Sequence, residues 1–458
     1  MTDVENPAVL PCGDGAVLVT SVELGPHRGT WGGAVATAVE RAVLQRGDTG
    51  RCAAAWVLLW QGGRPFATLD LPLPPDPADV AARLEEFPTD ISRGEEAEPL
   101  PSLPTVTVVV PTVVQRVADL DRCLTGLEAL HHPGGAAAVE LLLVDNRPVV
   151  PAEDPLPELL ARHPRVRRLH APRPGISQAR NAGTAAARGD VVAFTDDDVL
   201  VDPRWVLALA TRFATHPEED VVTGLVVPAE LETAAQRGYE AHYGGFGGTR
   251  RLTPAQVVPV RGRPGRVREL GPDGDVRREF PVYGIGAFGA GANMAFRRPA
   301  LRRGFDVHLG TGTPARGGED LAVLVDLLWR GGRLGYEPAA VVHHTHRRDL
   351  AGLEHQLRGN GVGYTAMLTA LVHRDPRHLG ALAGLVPAAA VAKLRWARDR
   401  ARSGPADART STSTSTSTST DTVDPRRLVR LELRGMPWGP LAYWRARAAA
   451  RPVPQENP

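Results

Sequence analysis

The chain has 458 residues, 43% hydrophobic and 23% charged, and its 53 basic and 52 acidic side chains leave a net charge of +1. That length supports two or three domains with at least one large core, and the near-neutral charge excludes a protein built mainly to grip nucleic-acid backbones. Lys393 is the only lysine, so the basic side is almost all arginine and a single arginine carries little information. Cys12, Cys52 and Cys123 are odd in number, far apart and without metal-site spacing; they read as reduced, and no zinc site is implied. The N-terminus shows no basic segment leading into an apolar core, and no run approaches the roughly 18 to 20 apolar residues of a spanning helix. The expected location is cytoplasmic, or peripheral at the inner face of a membrane.

In chain order, residues 1–95 read as a small N-terminal α/β module of unknown role, with strands at Ala16–Thr20, Ala53–Trp60 and Phe66–Leu71 and a helix over Thr30–Arg46. A proline-marked acidic stretch around 95–104 reads as a linker. Strict alternation then begins: strand Val106–Val110, helix Ala118–Leu130, strand Val139–Val144, strand Val166–His170, a helix capped by Ser177 and running through Ala187, and strand Val191–Phe194. Such alternation implies right-handed crossovers and a parallel sheet covered on both faces. Residues 226–290, rich in Gly, Pro and Arg, read as irregular and as a covering loop. Pattern returns at Ala292–Phe296, a helix near 320–330, strand Ala339–His343 and a helix over 349–372. The whole of 104–373 is one expected domain. A helical extension follows over 374–409, where Leu379–Arg398 reads as a core-packing helix or as one lying on a membrane surface. Residues 410–424 form a Ser/Thr low-complexity linker that cannot order itself. The tail 425–458 is basic and aromatic, with Trp438, Tyr443 and Trp444 suited to an interfacial contact or to docking back on the chain.

The sharpest feature is the apolar run Val191–Phe194 ending, after Thr195, in Asp196, Asp197 and Asp198. These acids lie at the carboxyl end of a strand, where open α/β sheets bind ligands. Three adjacent carboxylates repel unless a hard cation such as Mg2+ or Mn2+, or a dense donor set, neutralises them; taken alone, they read equally as a solvated acidic loop or a helix cap. Further elements accompany them in order: Pro111-Thr112 and Arg116 after the first strand, Asp145-Asn146 after the second, and Gly175 to Gly183 opening the next helix. Gly289 to Asn293, Gly317-Gly318-Glu319-Asp320 before a helix, and His343-His344-Thr345-His346 after the last strand complete the set.

In this ordered set, over roughly residues 104–350, the chain resembles the family 2 glycosyltransferases, which transfer sugars from nucleotide-diphospho-sugars and have the GT-A fold. The resemblance implies a Rossmann-like, mostly parallel sheet flanked by helices, followed here by a helical, partly disordered C-terminal extension. It places Pro111, Thr112 and Asp145 around the nucleoside, and Arg180, Asn181, Asp196 and Asp197 along the donor pocket. The metal falls to Asp198, Asp196 and His344, and the acceptor side to Gly291, Asn293 and Glu319. Asp320 is implied as the base on the acceptor hydroxyl, giving inversion, with Mg2+ or Mn2+ as cofactor. Each has a structural alternative: Asp145 as a strand-end turn residue, Arg180 as a solvated helix residue, Glu319 and Asp320 as acids favoured in a helix's first turn, Gly291 as a turn glycine, and two of the three histidines as structural. The partners expected are a nucleotide-diphospho-sugar and an acceptor of unassigned type (saccharide, lipid-linked or small molecule), without nucleic acid, in cell-surface polysaccharide or glycolipid synthesis. The C-terminal region is the candidate membrane contact. A nucleotidyltransferase is disfavoured, because the expected glycine-rich phosphate loop and a lysine in the domain are missing. A degenerate nucleotide-sugar-binding or scaffold module is the alternative from another class.

Overall fold

A computed structural model describes residues 16–25, 27–45, 52–85, 87, 102–243, 250–385 and 425–449. Cys12, residues 88–101, which include most of the expected linker at 95–104, most of Leu379–Arg398 and the Ser/Thr linker lie outside the described residues.

The N-terminal module contains β1 (Ala16–Leu24), α1 (Trp31–Gln45), β2 (Cys52–Gln61), β3 (Arg64–Pro72) and α2 (Pro77–Leu84). Its three strands form a sheet in the order β1-β2-β3, with β1 parallel and β3 antiparallel to β2. Successive residues of β2 point to opposite faces. Val57 and Leu59 pack with Trp31, Val35 and Val39 of α1, whereas Trp56, Leu58 and Trp60 pack on Leu225, Val227, Leu231 and Val341 of the main domain. Both faces are thus covered, which explains why Trp56–Trp60 is continuously apolar. Arg204 fastens the junction, ion-paired with Glu23 at 3.0 Å and stacked 4.2 Å over the Trp60 ring. Contrary to the expectation that all three cysteines are reduced, Cys52 is disulfide-bonded, while Cys123 is free and buried. Sequence separation carries no information about spatial distance, so scattered cysteines did not exclude a bridge.

The main domain runs β4 (Val106–Thr112), α3 (Val117–Glu128), β5 (Val139–Asp145), α4 (Leu156–Arg162), β6 (Val166–His170), α5 (Ile176–Ala186), β7 (Val191–Phe194), β8 (Val199–Val201), α6 (Trp205–Thr215) and β9 (Val221–Pro228). It continues through α7 (Ala234–Tyr243), β10 (Ala255–Pro259), β11 (Arg266–Leu270), β12 (Val276–Pro281), β13 (Met294–Arg297), α8 (Glu319–Trp329), β14 (Leu334–His344), α9 (Leu350–Arg374) and α10 (Arg377–Ala383). The helices α11 (Pro425–Gly435) and α12 (Gly439–Ala449) follow. The strands make an 11-stranded sheet in the order β12-β11-β10-β14-β9-β13-β7-β4-β5-β6, with β8 paired to β14.

The expected α/β architecture holds from β4 to β7, where β6, β5, β4 and β7 are mutually parallel. β13 enters antiparallel between β7 and β9, with Met294 opposite both Phe194 and Thr223. Residues 226–290 are not a plain loop. They hold α7 and the antiparallel strands β10, β11 and β12, where a buried Glu269 and an exposed Val276 invert the alternation that would identify a strand. Ser177 lies inside α5, where its hydroxyl donates to the Leu309 carbonyl; Gly175, at φ 119°, is the capping residue. Two apolar layers cover the sheet: Val109, Val144, Phe194 and Phe296 on one face, and Val108, Val110, Leu143, Trp205 and Phe213 on the other. Phe194 meets Phe296 and Phe305 edge-on at 6.0 and 5.2 Å, contacts worth about 0.5–1.5 kcal/mol each beyond burial. They fix the floor under the acids that follow Phe194.

The C-terminal pair α11–α12 docks on α9 through glycines. A side chain at Gly361 would overlap the Glu432 carbonyl, and one at Gly435 would meet the Arg358 carbonyl and the Val362 amide nitrogen. Backbones that close admit no added volume. Gly435→Val is therefore expected to separate α11 from α9 and cost about 1–3 kcal/mol. The readouts are a lower thermal midpoint and faster proteolysis of the C-terminal helices.

Candidate active site

Sheet register brings the sequence motifs to one edge. Thr112 lies opposite Asp145, and Val109 opposite Phe194, so Asp196–Asp198 follow β7 beside the end of β4. Each acid has a different neighbour. Asp197 Oδ2 accepts a 2.7 Å hydrogen bond from the Thr112 hydroxyl, which itself accepts from the Val114 amide. Asp198 Oδ2 pairs with Arg116 at 2.6 Å, and its Oδ1 stands 3.5 Å from His344 Nε2. Asp196 Oδ1 lies 3.3 Å from Arg180 Nη2.

Arg180 ties this cluster to the second acidic motif. Its guanidinium, 1% exposed, donates from Nη1 to Glu319 Oε1 at 2.8 Å and from Nη2 to the Gly291 carbonyl at 3.3 Å. The Gly291 amide donates to Asp320 Oδ2 at 2.8 Å, and the Leu321 amide to Asp320 Oδ1 at 2.8 Å. A Cβ at residue 291 would sit 2.6 Å from Arg180 Nη2, so a side chain there would displace the guanidinium. Gly318, at φ 85°, turns the chain into α8, and a Cβ on it would strike the Gly363 carbonyl of α9. These two glycines set where Glu319 and Asp320 stand.

Several expected site residues lie elsewhere than in an open pocket. Asp145 is fully buried; Arg147 donates to both of its oxygens at 2.8 Å, and Arg168 donates at 2.6 Å to Oδ2. In this arrangement it anchors two arginines and presents no free acceptor to a nucleoside. Asn181 clamps the backbone of Phe305, donating to its carbonyl at 2.9 Å and accepting from its amide at 2.7 Å. Asn293 is likewise buried, donating to the Leu225 and Ala340 carbonyls and accepting from Trp205 Nε1. Both asparagines pin backbone that sequence leaves apart, which makes them scaffold for the site. Pro111 is buried within β4, and Thr112 is committed to Asp197. Of the three strand-end histidines, His344 faces the acids. His346 is buried, with Nε2 3.1 Å from Glu240 and its ring 4.7 Å from that of Tyr239, and His343, one residue from His344, points to the other face of β14. Arg116, Arg147 and Arg168 are the residues that sequence reading passed over or left without a role. In a chain whose basic side is nearly all arginine, no local signal marks them out.

Charge in the cluster is poorly solvated. Burial, followed by the neighbouring Asp198 and Asp196, pushes Asp197 up to about 6, against the hydrogen bond from Thr112. Burial likewise raises Asp196, with Arg180 opposing. Glu319 is pushed up to about 7 by burial and then by Asp320, despite Arg180. Asp196, Asp198 and His344 each offer one ligand atom, all within 4.8 Å of one another. Two carboxylate oxygens and one imidazole nitrogen suit a divalent ion of the Mg2+ or Mn2+ type more than a thiolate-seeking metal, so the residues present fit the implied cation. Among the described residues, no helix is long and apolar enough to cross a membrane.

Residues 107–305 match the model of Glycosyl transferase family 2. Pre-mycofactocin glycosyltransferase of Mycobacterium tuberculosis (strain ATCC 25618 / H37Rv) is 30% identical over 282 residues, which cover 59% of this chain and 49% of the relative. The chain therefore spans about half the length of that relative. Succinoglycan biosynthesis protein ExoM of Rhizobium meliloti (strain 1021) is 26% identical over 279 residues, covering 59% of this chain and 77% of that protein. Among solved structures, mannosyltransferase PcManGT from Pyrobaculum calidifontis, in complex with GDP-Man and Mn2+, aligns over 76% of this chain and 91% of its own at 17% identity and a TM-score of 0.40.

Removing Arg180 leaves Glu319 and Asp196 uncompensated in a buried site. Arg180→Met is expected to cost about 3–5 kcal/mol, and Arg180→Met with Glu319→Gln less, because the second change removes one stranded charge. Chemical denaturation of the three proteins measures this. Asp145 supplies a pH signature. Burial alone would raise its carboxyl, but the hydrogen bonds from Arg147 and Arg168 win and hold it down at about 2, from an ordinary 3.8. A folded-state value below the unfolded one gives stabilisation that is complete above about pH 4 and lost as pH falls toward 2. The thermal midpoint of Asp145→Asn should lack that component of acid sensitivity.

Proposed function

We propose that this chain, whose residues 107–305 match the model of Glycosyl transferase family 2, moves a sugar from a nucleotide-diphospho-sugar to an acceptor hydroxyl, with inversion and with a divalent cation. The observation that carries this reading is the convergence, at one edge of the sheet, of the group Asp196, Asp198 and His344 with Asp320, joined through Arg180 and Gly291.

Asp196, Asp198 and His344 would hold the cation. Bound there, it supplies a Lewis acid that offsets charge on the departing nucleoside diphosphate. Arg116, whose side chain is 44% exposed, neutralises the outer oxygen of Asp198 and presents a guanidinium to the donor's phosphates. Thr112 holds Asp197 in place by hydrogen bond. On the other side, Asp320 has its two oxygens oriented by the Gly291 and Leu321 amides. It takes the proton of the acceptor hydroxyl as that oxygen forms a bond to the anomeric carbon and the bond from that carbon to the diphosphate oxygen breaks. The electron pair of the broken bond leaves with the nucleoside diphosphate. Arg180 is buried, with its guanidinium bonded to Asp196, Glu319 and the Gly291 carbonyl. It positions Asp196 and Glu319 so that donor and acceptor groups keep a fixed separation.

Purified protein with a panel of nucleotide sugars and Mn2+ should release nucleoside diphosphate, and chelation should stop the release. Asp320→Asn should lower turnover by about 10²-fold or more with donor affinity by calorimetry nearly unchanged. Asp198→Ala should weaken donor binding in Mn2+ and leave the weak metal-free binding as it was. Equal loss of donor affinity in both variants would sink this division of roles.

A further inference from the structure

A second concave feature stands apart from the residues assigned to sugar transfer. Between the first half of α9 and the α11–α12 pair lies a groove of about 800 Å³, bordered by Arg316, His355, Arg358, Arg434 and Arg445, with Trp438 and Leu441 among its apolar lining. Among the described residues, no carboxylate pairs with Arg316, Arg358, Arg434 or Arg445. The one acid on the lining, Glu354, is taken by Arg427. Arg147, Arg168, Arg180 and Arg212, by contrast, each pair with a carboxylate. Four guanidinium groups without a carboxylate partner thus border one groove.

Their mutual repulsion is sustained by the fold, because the glycine contacts at Gly361 and Gly435 lock α9 against α11. Arg316 is further held at φ 65°, a left-handed conformation uncommon outside glycine, and donates to His355 Nε2 at 3.3 Å. A ligand here must bring negative charge, and the planar guanidinium fork matches phosphate oxygens. It must also cover apolar surface. Trp438, Leu441 and Trp444 on the same helical pair are 60%, 42% and 49% exposed. Basic side chains beside exposed Trp and Leu on a surface helix suit the headgroup layer of a bilayer, where rings reach the acyl boundary and arginines meet phosphate.

We propose that the α11–α12 face docks on an anionic membrane surface, with the groove seating a lipid phosphate among Arg316, Arg358, Arg434 and Arg445. The charge of the groove selects an anionic partner, and the exposed aromatic and aliphatic side chains beside it select an amphiphilic one. This docking is independent of whether the chain transfers sugar.

Co-sedimentation of the full chain with vesicles tests it. Vesicles of phosphatidylcholine plus phosphatidylglycerol should bind at least roughly tenfold more tightly than phosphatidylcholine alone, and Arg434→Glu with Arg445→Glu should weaken that binding by roughly tenfold or more. Trp438→Ala with Leu441→Ala should also weaken it, although no charge changes. All four side chains are exposed, so the thermal midpoint should hold in each variant, and Arg434→Ala with Arg445→Ala repeats the test without introducing acids. Equal binding to the two vesicle types, or full binding by both arginine double variants, would overturn the proposal. So would inorganic phosphate raising the thermal midpoint of the wild type, but not of the arginine variants, while anionic vesicles fail to bind, because that result assigns the groove to a soluble anion.

Discussion

A single buried cation organises this site. Arg180 lies under the carboxyl edge of the sheet with its guanidinium shared by Asp196, Glu319 and the Gly291 carbonyl. Acids gathered this closely cost desolvation and mutual repulsion, and they stay together only where an opposite charge is fixed among them. The guanidinium provides that charge, and its planar shape sets the angle between the two acidic motifs. Gly291 then passes the arrangement on, its carbonyl accepting from Arg180 and its amide donating to Asp320. The loop before β13, the start of α8 and the end of β7 are thus held as one unit.

The rest of the molecule braces that unit from both sides. The N-terminal sheet covers Leu225, Val227 and Val341 on β9 and β14, the strands that run beside and into His344. β8, which follows directly from the acids, pairs with the last residues of β14, His344 opposite Val199. On the other side α9 meets the start of α8 through Gly363 and Gly318 and carries α11 and α12 on its outer face. The C-terminal helices are therefore packed onto the element that supports Asp320 and are not a loose tail.

Much of the fold was legible in the residues, for local reasons. Continuous β-branched and apolar runs such as Val106–Val110 and Val139–Val144 suit only strands covered on both faces, and the acids after Phe194 had to lie at a strand's carboxyl end. The strands of 255–281 were not legible, since a charged residue, Glu269, is buried in one and an apolar one, Val276, is exposed in another, which inverts the alternation that marks a strand. The direction of β13 was not legible either, because an apolar run looks the same parallel or antiparallel. Within the site, the acids and His344 were found by their order along the chain. Asn181 and Asn293 were assigned to ligands, whereas the structure spends both on holding backbone more than 40 residues away.

By itself the sequence determined which segments are strands and helices in the core of the domain and which acids and histidine reach one edge, since both follow from local pattern and chain order. Only the tertiary structure decided how the charges pair: Arg180 with Glu319 across 139 residues, Arg116 with Asp198 across 82, and Arg147 and Arg168 on Asp145. The reason is physical. A side chain's identity sets what it can bond to, but its partner depends on the direction in which distant backbones aim it and on how far each pair is withdrawn from water.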